Sequence, residues 1–327
     1  MGKLAWGQLG PTPFLLGGKA FRWLNRHMPS EVFTPETLPP THPSKIRYGV
    51  IGCPIAHSLS PAMQLAGFEA LGLPAEYFRI EVPAGTLHRA IPLLLQAGLQ
   101  GWNCTLPHKK EMFNLVSKKD SSALEAQSVN TIRVEQGQLH GFSTDAAGWK
   151  TALQETWQLA TDKLRVLILG CGGVGQTLAR HLTQSGCAAL TLTNREPKRA
   201  TELLRELQSL SIERFPIQTI PWDISAIQSA LPETDLLVQA TSLGMKDEDS
   251  LPLPFESLHP PLRVYDTIYR KDLTPLVRAA RHRDCPAIDG LGMLLHQGTL
   301  SFEIWTGKKA PRAAMQAALE QSAGRKI

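Results

Sequence analysis

Long apolar runs are missing from this sequence. Its apolar stretches are strand-sized, as at residues 166–169, against the ~20 residues a helix needs to cross a bilayer. A membrane-spanning helix is therefore not expected. Cysteine is scarce: Cys53, Cys104, Cys171, Cys187 and Cys285 are scattered, with no C-x-x-C pair. That argues against a disulfide framework and a zinc site, and for a reducing compartment. The ten histidines form no H-E-x-x-H or comparable ligand spacing, so no metal is expected. A concentrated basic stripe is also lacking. The net charge of +5 is spread along the chain, which favours anionic small molecules and argues against a nucleic-acid partner.

At 327 residues the chain has room for two ordinary domains. Residues 1–27 contain no acidic residue but carry Lys3, Lys19, Arg22 and Arg26. Pro29, Pro35, Pro39, Pro40 and Pro43 follow, which denies this stretch regular hydrogen bonding. Residues 1–45 are therefore expected to form a disordered, non-catalytic extension. Residues 20–28 have room for a short basic amphipathic turn, so an organellar targeting role stays open beside a cytoplasmic location. The stretch is poor in serine and lacks a secretory apolar core with a cleavage site.

From residue 46 the pattern alternates. Strands are expected at 46–51, 77–82 and 100–105, and helices at 61–71, 86–96 (with Pro92 as a kink) and 107–116. Residues 129–134 and 138–142, joined through Gln136-Gly137, predict a hairpin. A helix carrying Trp149, Leu153 and Trp157 on one face follows. A second series places strands at 166–169, 190–193, 216–220, 236–239, 263–265 and 287–288, with helices such as 176–184 and 199–207 between. The fold class is α/β, with a first α/β unit over 46–145 and a doubly wound, Rossmann-type unit over 146–288. The tail over 289–327 is helical.

The strand at 166–169 runs into Gly170-Cys171-Gly172-Gly173-Val174-Gly175 and then an apolar helix. This G-x-G-x-x-G is in the strand–turn–helix context that a dinucleotide site requires. Gly170 permits the turn, Gly172 opens the backbone to a pyrophosphate, and Gly175 allows helix–strand contact. The free N–H groups at the helix start face the phosphate charge. After the next strand comes Asn194-Arg195-Glu196-Pro197-Lys198-Arg199. An NAD site usually has an acidic residue there, whereas Arg195 and Arg199 suit a 2′-phosphate. NADP is favoured, and Glu196 is the one argument for NAD. The Ala240-Thr241-Ser242-Leu243-Gly244-Met245 turn ends a buried-looking strand, where doubly wound sheets hold ligands. Thr241, Ser242 and Gly244 are candidate cofactor contacts.

In the first unit, Ser58-Leu59-Ser60-Pro61 reads as a helix start with Ser60 as its cap. Capping leaves Ser58 unexplained, and two hydroxyls there could hold a carboxylate. Asn103 and Thr105 share a strand face by the two-residue period. Lys109 falls in the first turn of the next helix, where its charge opposes the helix dipole; local stability does not account for it. Asp145, after Ser143-Thr144, reads either as a helix cap or as a functional carboxylate.

Together with Ser128-Val129-Asn130-Thr131, Tyr265-Asp266-Thr267-Ile268-Tyr269 and Asp289-Gly290-Leu291-Gly292-Met293, these segments resemble the shikimate dehydrogenase family, from about Tyr48 to the C-terminal helices. The resemblance implies a substrate domain completed by the C-terminal helices and an NADP domain between. It implies carboxylate binding by Ser58 and Ser60, and a pocket lined by Asn103, Thr105, Asn130, Tyr269 and Gln297. Lys109 and Asp145 would be the catalytic pair. Gly170, Gly172, Gly173, Val174, Gly175, Asn194, Arg195, Arg199, Ile268, Gly290 and Met293 would bind NADP. The implied reaction is reversible NADPH-dependent reduction of 3-dehydroshikimate, in the pathway to chorismate and the aromatic amino acids. A homodimer is an open expectation. A carboxylate beside a lysine favours its charged form, so Lys109 is read as a charged donor rather than a general base. The family's usual Asn-Thr-Asp-Gly is Ser143-Thr144-Asp145-Ala146 here, losing a glycine's freedom. Its usual Asn-Arg-Thr or Asn-Arg-Ser is Asn194-Arg195-Glu196, which keeps an NAD-using quinate/shikimate dehydrogenase as the alternative. A non-catalytic regulatory homologue is the reading from another class.

Overall fold

The structure, a computed structural model, describes residues 31–210, 215–246 and 248–327. The basic residues before position 30 and the proposed turn at 20–28 lie outside them.

Two sheets organise the chain. The first combines β1 (Val32–Phe33), β2 (Ile46–Gly52), β3 (Ala75–Glu81), β4 (Leu99–Cys104), β5 (Lys118–Lys119), β6 (Thr131–Glu135) and β7 (Gln138–Phe142) in the order β1-β3-β2-β4-β6-β7-β5. Strands β1 to β4 pair in parallel, while β6 runs antiparallel to both β4 and β7. Connecting helices are α1 (Ser60–Ala70), α2 (Leu87–Gln96), α3 (Lys109–Leu115) and α4 (Ser121–Ala126). Burial on both faces explains the near-continuous apolar character of β2. Successive residues point to opposite faces: Tyr48 and Val50 join one core cluster, and Ile51 joins another with Ile80, Trp102 and Cys104. The first of these faces is covered by α10 (Leu291–Thr306) and α11 (Arg312–Ala323), through Leu295, Phe302, Trp305, Met315 and Leu319. The hairpin turn has positive φ at both Gln136 (50°) and Gly137 (76°), the combination that matches strand twist.

The second sheet combines β8 (Arg165–Leu169), β9 (Ala189–Thr193), β10 (Ile217–Thr219), β11 (Leu236–Gln239), β12 (Arg263–Asp266) and β13 (Ala287–Ile288), all parallel, in the order β10-β9-β8-β11-β12-β13. This is the doubly wound order with its switch point between β8 and β11. Helices α5 (Asp145–Trp157), α6 (Gly173–Ser185), α7 (Pro197–Leu210), α8 (Ile224–Ala230) and α9 (Pro275–His282) complete the series. Val166 and Ile168 face one core cluster, with Trp149 and Leu153, while Leu167 and Leu169 face the other. Helix α6 buries Gly175, Leu178, Ala179 and Leu182 on one stripe, the spacing expected of a helix lying on a sheet.

Three expectations change. The extension through residue 45 is not wholly without regular structure, because Val32–Phe33 adds an edge strand parallel to β3. Phe33 packs edge-on to Phe78 at 5.6 Å. A proline lacks a donor but keeps its carbonyl, and that of Pro39 accepts from the buried Arg47 guanidinium at 2.8 Å. Ser60 does not cap α1: Leu59 occupies the cap position and Ser60 is the first helical residue. Asp145 does not cap α5 either, since Thr144 precedes the helix and Asp145 is its first residue. Ala146 therefore lies in a helical turn, where alanine needs none of glycine's freedom.

Candidate active site

A cleft of about 520 Å3 opens where the carboxyl ends of β2 and β4 face those of β8 and β11. Both sheets thus present their topological switch points to one cavity, the place where such sheets hold ligands.

At its centre Lys109, the first residue of α3, donates from Nζ to Asp145 Oδ2 at 2.7 Å. Both side chains are buried, at 10% and 6% exposure, so little water competes with the pair. The carboxylate answers the unfavourable placement of a cation at a helix start. Asp145 Oδ1 accepts from Asn130 Nδ2 at 3.0 Å, and the same amide reaches Thr144 Oγ1 at 2.9 Å and Gln297 Oε1 at 3.2 Å. Asn130 Oδ1 accepts from the Thr144 N–H at 2.9 Å. These contacts hold Asp145 with one oxygen on Lys109, and they bring α10 to the pair through Gln297.

Asn103 lies one strand away and lines the cleft. Its register partners Val50 and Thr131 continue the row across the sheet. Tyr77 Oη donates to Asn103 Oδ1 at 2.7 Å, while Nδ2 reaches Ser301 Oγ at 3.0 Å and Thr131 Oγ1 at 3.1 Å. Both ends of this amide are engaged within the protein. Thr105, half-buried two residues on, also lines the cleft.

Ser58 and Ser60 are buried at one end, and Ser60 N–H donates to Ser58 Oγ at 3.3 Å. Arg79 steadies this turn by donating from Nε (2.9 Å) and Nη2 (2.7 Å) to the Ser58 carbonyl. Burial, with the Arg79 cation adding to it, holds His57 below the ordinary histidine range. Tyr269 lines the same end, and burial pushes its hydroxyl up to about 12, so it remains a donor.

Across the cleft, Gly170 has φ 105° and lies so close to Ala240 that a Cβ would sit 2.9 Å from the Ala240 carbonyl carbon. A Cβ on Gly175 would come 1.9 Å from the Gly170 oxygen, whereas one on Gly172 would meet nothing within 4 Å. Gly175 therefore shapes the loop without lining the cleft, while Gly172, Gly173 and Val174 form its wall. The open face at Gly172, at the start of the 13-residue α6, fits a pyrophosphate. Asn194 Oδ1 accepts from the Cys171 N–H at 2.9 Å, tying this loop to the end of β9. Arg195, Glu196 and Arg199 line the far end, and Arg199 Nε donates to Glu196 Oε2 at 2.9 Å. That arrangement fits a 2′-phosphate beside Arg195, with Arg199 partly taken up by its neighbour. Thr241, Ser242, Ile268, Gly290 and Met293 line the middle. Thr241 is itself held by Gln239 Oε1, at 2.9 Å from its N–H and 3.0 Å from its hydroxyl. Gly244 departs from the expectation: it is buried outside the cleft wall, with φ 98° and its N–H donating to Asp249 Oδ2 at 2.9 Å.

Sequence reasoning missed Arg79, Tyr77 and Ser301, which act through Ser58 and Asn103. It also missed Leu106, a leucine 54% exposed at the cleft and 4.0 Å from where a Gly173 Cβ would stand. The signal was its place at the end of β4, next to an expected ligand strand.

Residues 50–132 match the family profile described as shikimate dehydrogenase substrate binding domain. Residues 152–245 match shikimate / quinate 5-dehydrogenase, and residues 290–320 match the shikimate 5'-dehydrogenase C-terminal domain. The shikimate dehydrogenase (NADP(+)) of Rubrobacter xylanophilus is 39% identical over 83% of this chain and 94% of its own. A crystal structure of shikimate 5-dehydrogenase from Thermus thermophilus, in complex with NADP(H) and shikimate, superposes with TM-score 0.74 at 32% identity, over 85% of this chain and 99% of that one. A quinate dehydrogenase from Corynebacterium glutamicum in complex with NAD gives TM-score 0.76 at 26% identity, over 85% and 99%. With three family profiles matched in chain order and relatives aligned over nearly their full length, this chain belongs to the shikimate dehydrogenase family.

Proposed function

We propose that the chain is an NADP-dependent shikimate dehydrogenase, reversibly reducing 3-dehydroshikimate to shikimate on the route to chorismate. The buried Lys109–Asp145 pair, facing the glycine loop across one cleft, is the observation that carries the reading. We assign residues 46–145, joined by β1, to the substrate lobe, 146–288 to the cofactor lobe, and 289–327 to helices closing the substrate lobe. The reading includes a cytoplasmic enzyme that works on small molecules and forms a homodimer; sedimentation of the full chain tests that last point.

Ser58 and Ser60 would bind the substrate carboxylate through their hydroxyls. Asn130, Thr105, Tyr269 and Gln297 would receive its ring hydroxyls, and Asn103 would hold Asn130 and Thr131 in place. Gly172, Gly173 and Val174 would bind the pyrophosphate, and Arg195 the 2′-phosphate. Bound NADPH supplies a hydride to the ketone carbon. Lys109 Nζ then gives a proton to the ketone oxygen as that oxygen gains negative charge. Asp145, which accepts from Nζ at 2.7 Å, keeps this group aimed, so a donor stands ready before the charge develops.

The test is Lys109→Ala. Proton donation of this kind contributes roughly 10²–10⁴-fold, and the loss is expected in kcat with KM little changed. A large rise in KM with kcat intact overturns the assignment. A second reading, an NAD-using quinate/shikimate dehydrogenase, is favoured only by Glu196, whose carboxylate lines the 2′ end of the cleft.

A further inference from the structure

The two lobes are joined behind the cleft by side chains that the reaction itself does not use. Thr177, on the second turn of α6, is fully buried and donates from Oγ1 to the Gly173 carbonyl at 3.0 Å. Its Oγ1 also lies 3.1 Å from Ser128 Oγ, which is buried on the substrate lobe. A hydroxyl has one proton. With that of Thr177 committed to Gly173, Ser128 is the donor in the bond between them. One turn along α6, Arg180 Nη1 donates to the Ala126 carbonyl at 3.0 Å. Glu206 takes its Nε at 2.6 Å and its Nη2 at 2.9 Å. This buried cation therefore reaches the end of α4 already neutralised and aimed.

What Ser128 adjoins gives the contact its meaning. The next residue, Val129, donates its N–H to the Lys109 carbonyl at 3.0 Å. The residue after that, Asn130, holds Asp145. Three consecutive residues thus connect the cofactor loop, the backbone of the catalytic lysine and the carboxylate that aims it. We propose that Ser128 and Thr177 are positioning residues, whose hydroxyl–hydroxyl bond sets the spacing between the dinucleotide loop and the Lys109–Asp145 pair. Hydride transfer is sensitive to such spacing, because reacting atoms must meet within about 3–3.5 Å.

The kinetic part of the test rests on the proposed function, and wild-type turnover of 3-dehydroshikimate with NADPH checks that reading separately. Ser128→Ala, Thr177→Val, the double variant and Thr177→Ser are made in the full chain. Each of the first two is expected to lower kcat about tenfold, with KM for both reactants held within about twofold. The double variant should be no slower than the singles, since both remove one bond. The deuterium isotope effect on kcat, measured with NADPH labelled at the transferred hydrogen, should rise as chemistry becomes limiting. Thr177→Ser keeps the hydroxyl and should restore the wild-type values. In protein without cofactor, the amides of Ser128, Val129 and Asn130 should exchange faster, and equally, in both single variants and the double. Unchanged kcat and isotope effect in the single variants, multiplying losses in the double, unchanged exchange, or a Thr177→Ser enzyme as slow as Thr177→Val overturns the proposal.

Discussion

Glu196 stands beside Arg195, the residue proposed to hold the 2′-phosphate, and its carboxylate is bonded to Arg199 rather than turned away from the site. Both partners are well exposed, at 53% and 66%, and exposed pairs of this kind are worth about 0–1 kcal/mol. Glu196 should therefore weaken the preference for NADPH without abolishing it. Glu196→Ser is expected to raise the ratio of kcat/KM for NADPH over NADH by no more than about fivefold, as read by initial rates with both cofactors. A fall in that ratio would mean that Glu196 helps the phosphate, against the repulsion argued here. At this scale Lys109 stood out by its chemistry, because a cation opposes the dipole at a helix start, whereas Asp145 suits such a start and was singled out by the family resemblance. The residues that hold them were not. Asn103 meets Ser301, 198 positions away in the chain, and Arg79 acts on a carbonyl 21 positions away; no local pattern records either.

Helices α5 and α10 meet where Gly148 faces Gln297. A Cβ at Gly148 would lie 2.7 Å from the Gln297 nitrogen and 2.9 Å from its Cβ. Backbone cannot step aside as a side-chain tip can. Gly148→Ala is therefore expected to cost about 1–3 kcal/mol of stability, read by urea unfolding. By displacing Gln297 it should also raise KM for 3-dehydroshikimate more than KM for NADPH. Equal rises would show that the helix contact does not act through the substrate end. The strand–helix alternation was legible because buried parallel strands are nearly all apolar and their helices are striped. Helices α4, α8 and α9 were passed over, although Asp120, Asp223 and Thr274 each accept from an N–H of the first turn. They are short, and their apolar stripes are too brief to establish a period. Strand β1 was hidden by its proline-rich surroundings, since two residues on a sheet edge carry no periodicity.

Across the whole molecule, stability should carry the imprint of one buried carboxyl. Asp266, at the end of β12, is pushed up from 3.8 to about 7 by burial, and the nearby Asp289 charge adds to this. The Ile268 N–H, which donates to Asp266 Oδ1 at 3.0 Å, opposes it. A group whose folded value is raised holds a proton that the unfolded chain has already released. Its contribution is complete below pH 3.8 and is lost as pH rises through about 7. Asp266→Asn should flatten the stability profile across that window and leave the variant more stable than wild type above it, as measured by urea unfolding. A wild-type profile that rises through the same window, unaltered by the substitution, would contradict this placement of the charge. The division into two α/β lobes was legible from two series of alternating elements, and the glycine loop identified the second. That both switch points open onto one cleft depends on how the lobes pack, which no single segment encodes. The central claim is that this cleft reduces 3-dehydroshikimate with NADPH. Its most direct test is kcat/KM for NADPH and NADH, each paired with 3-dehydroshikimate and with 3-dehydroquinate. We predict the highest value for NADPH with 3-dehydroshikimate; a strong preference for NADH, or no NADPH oxidation dependent on 3-dehydroshikimate, would contradict the account.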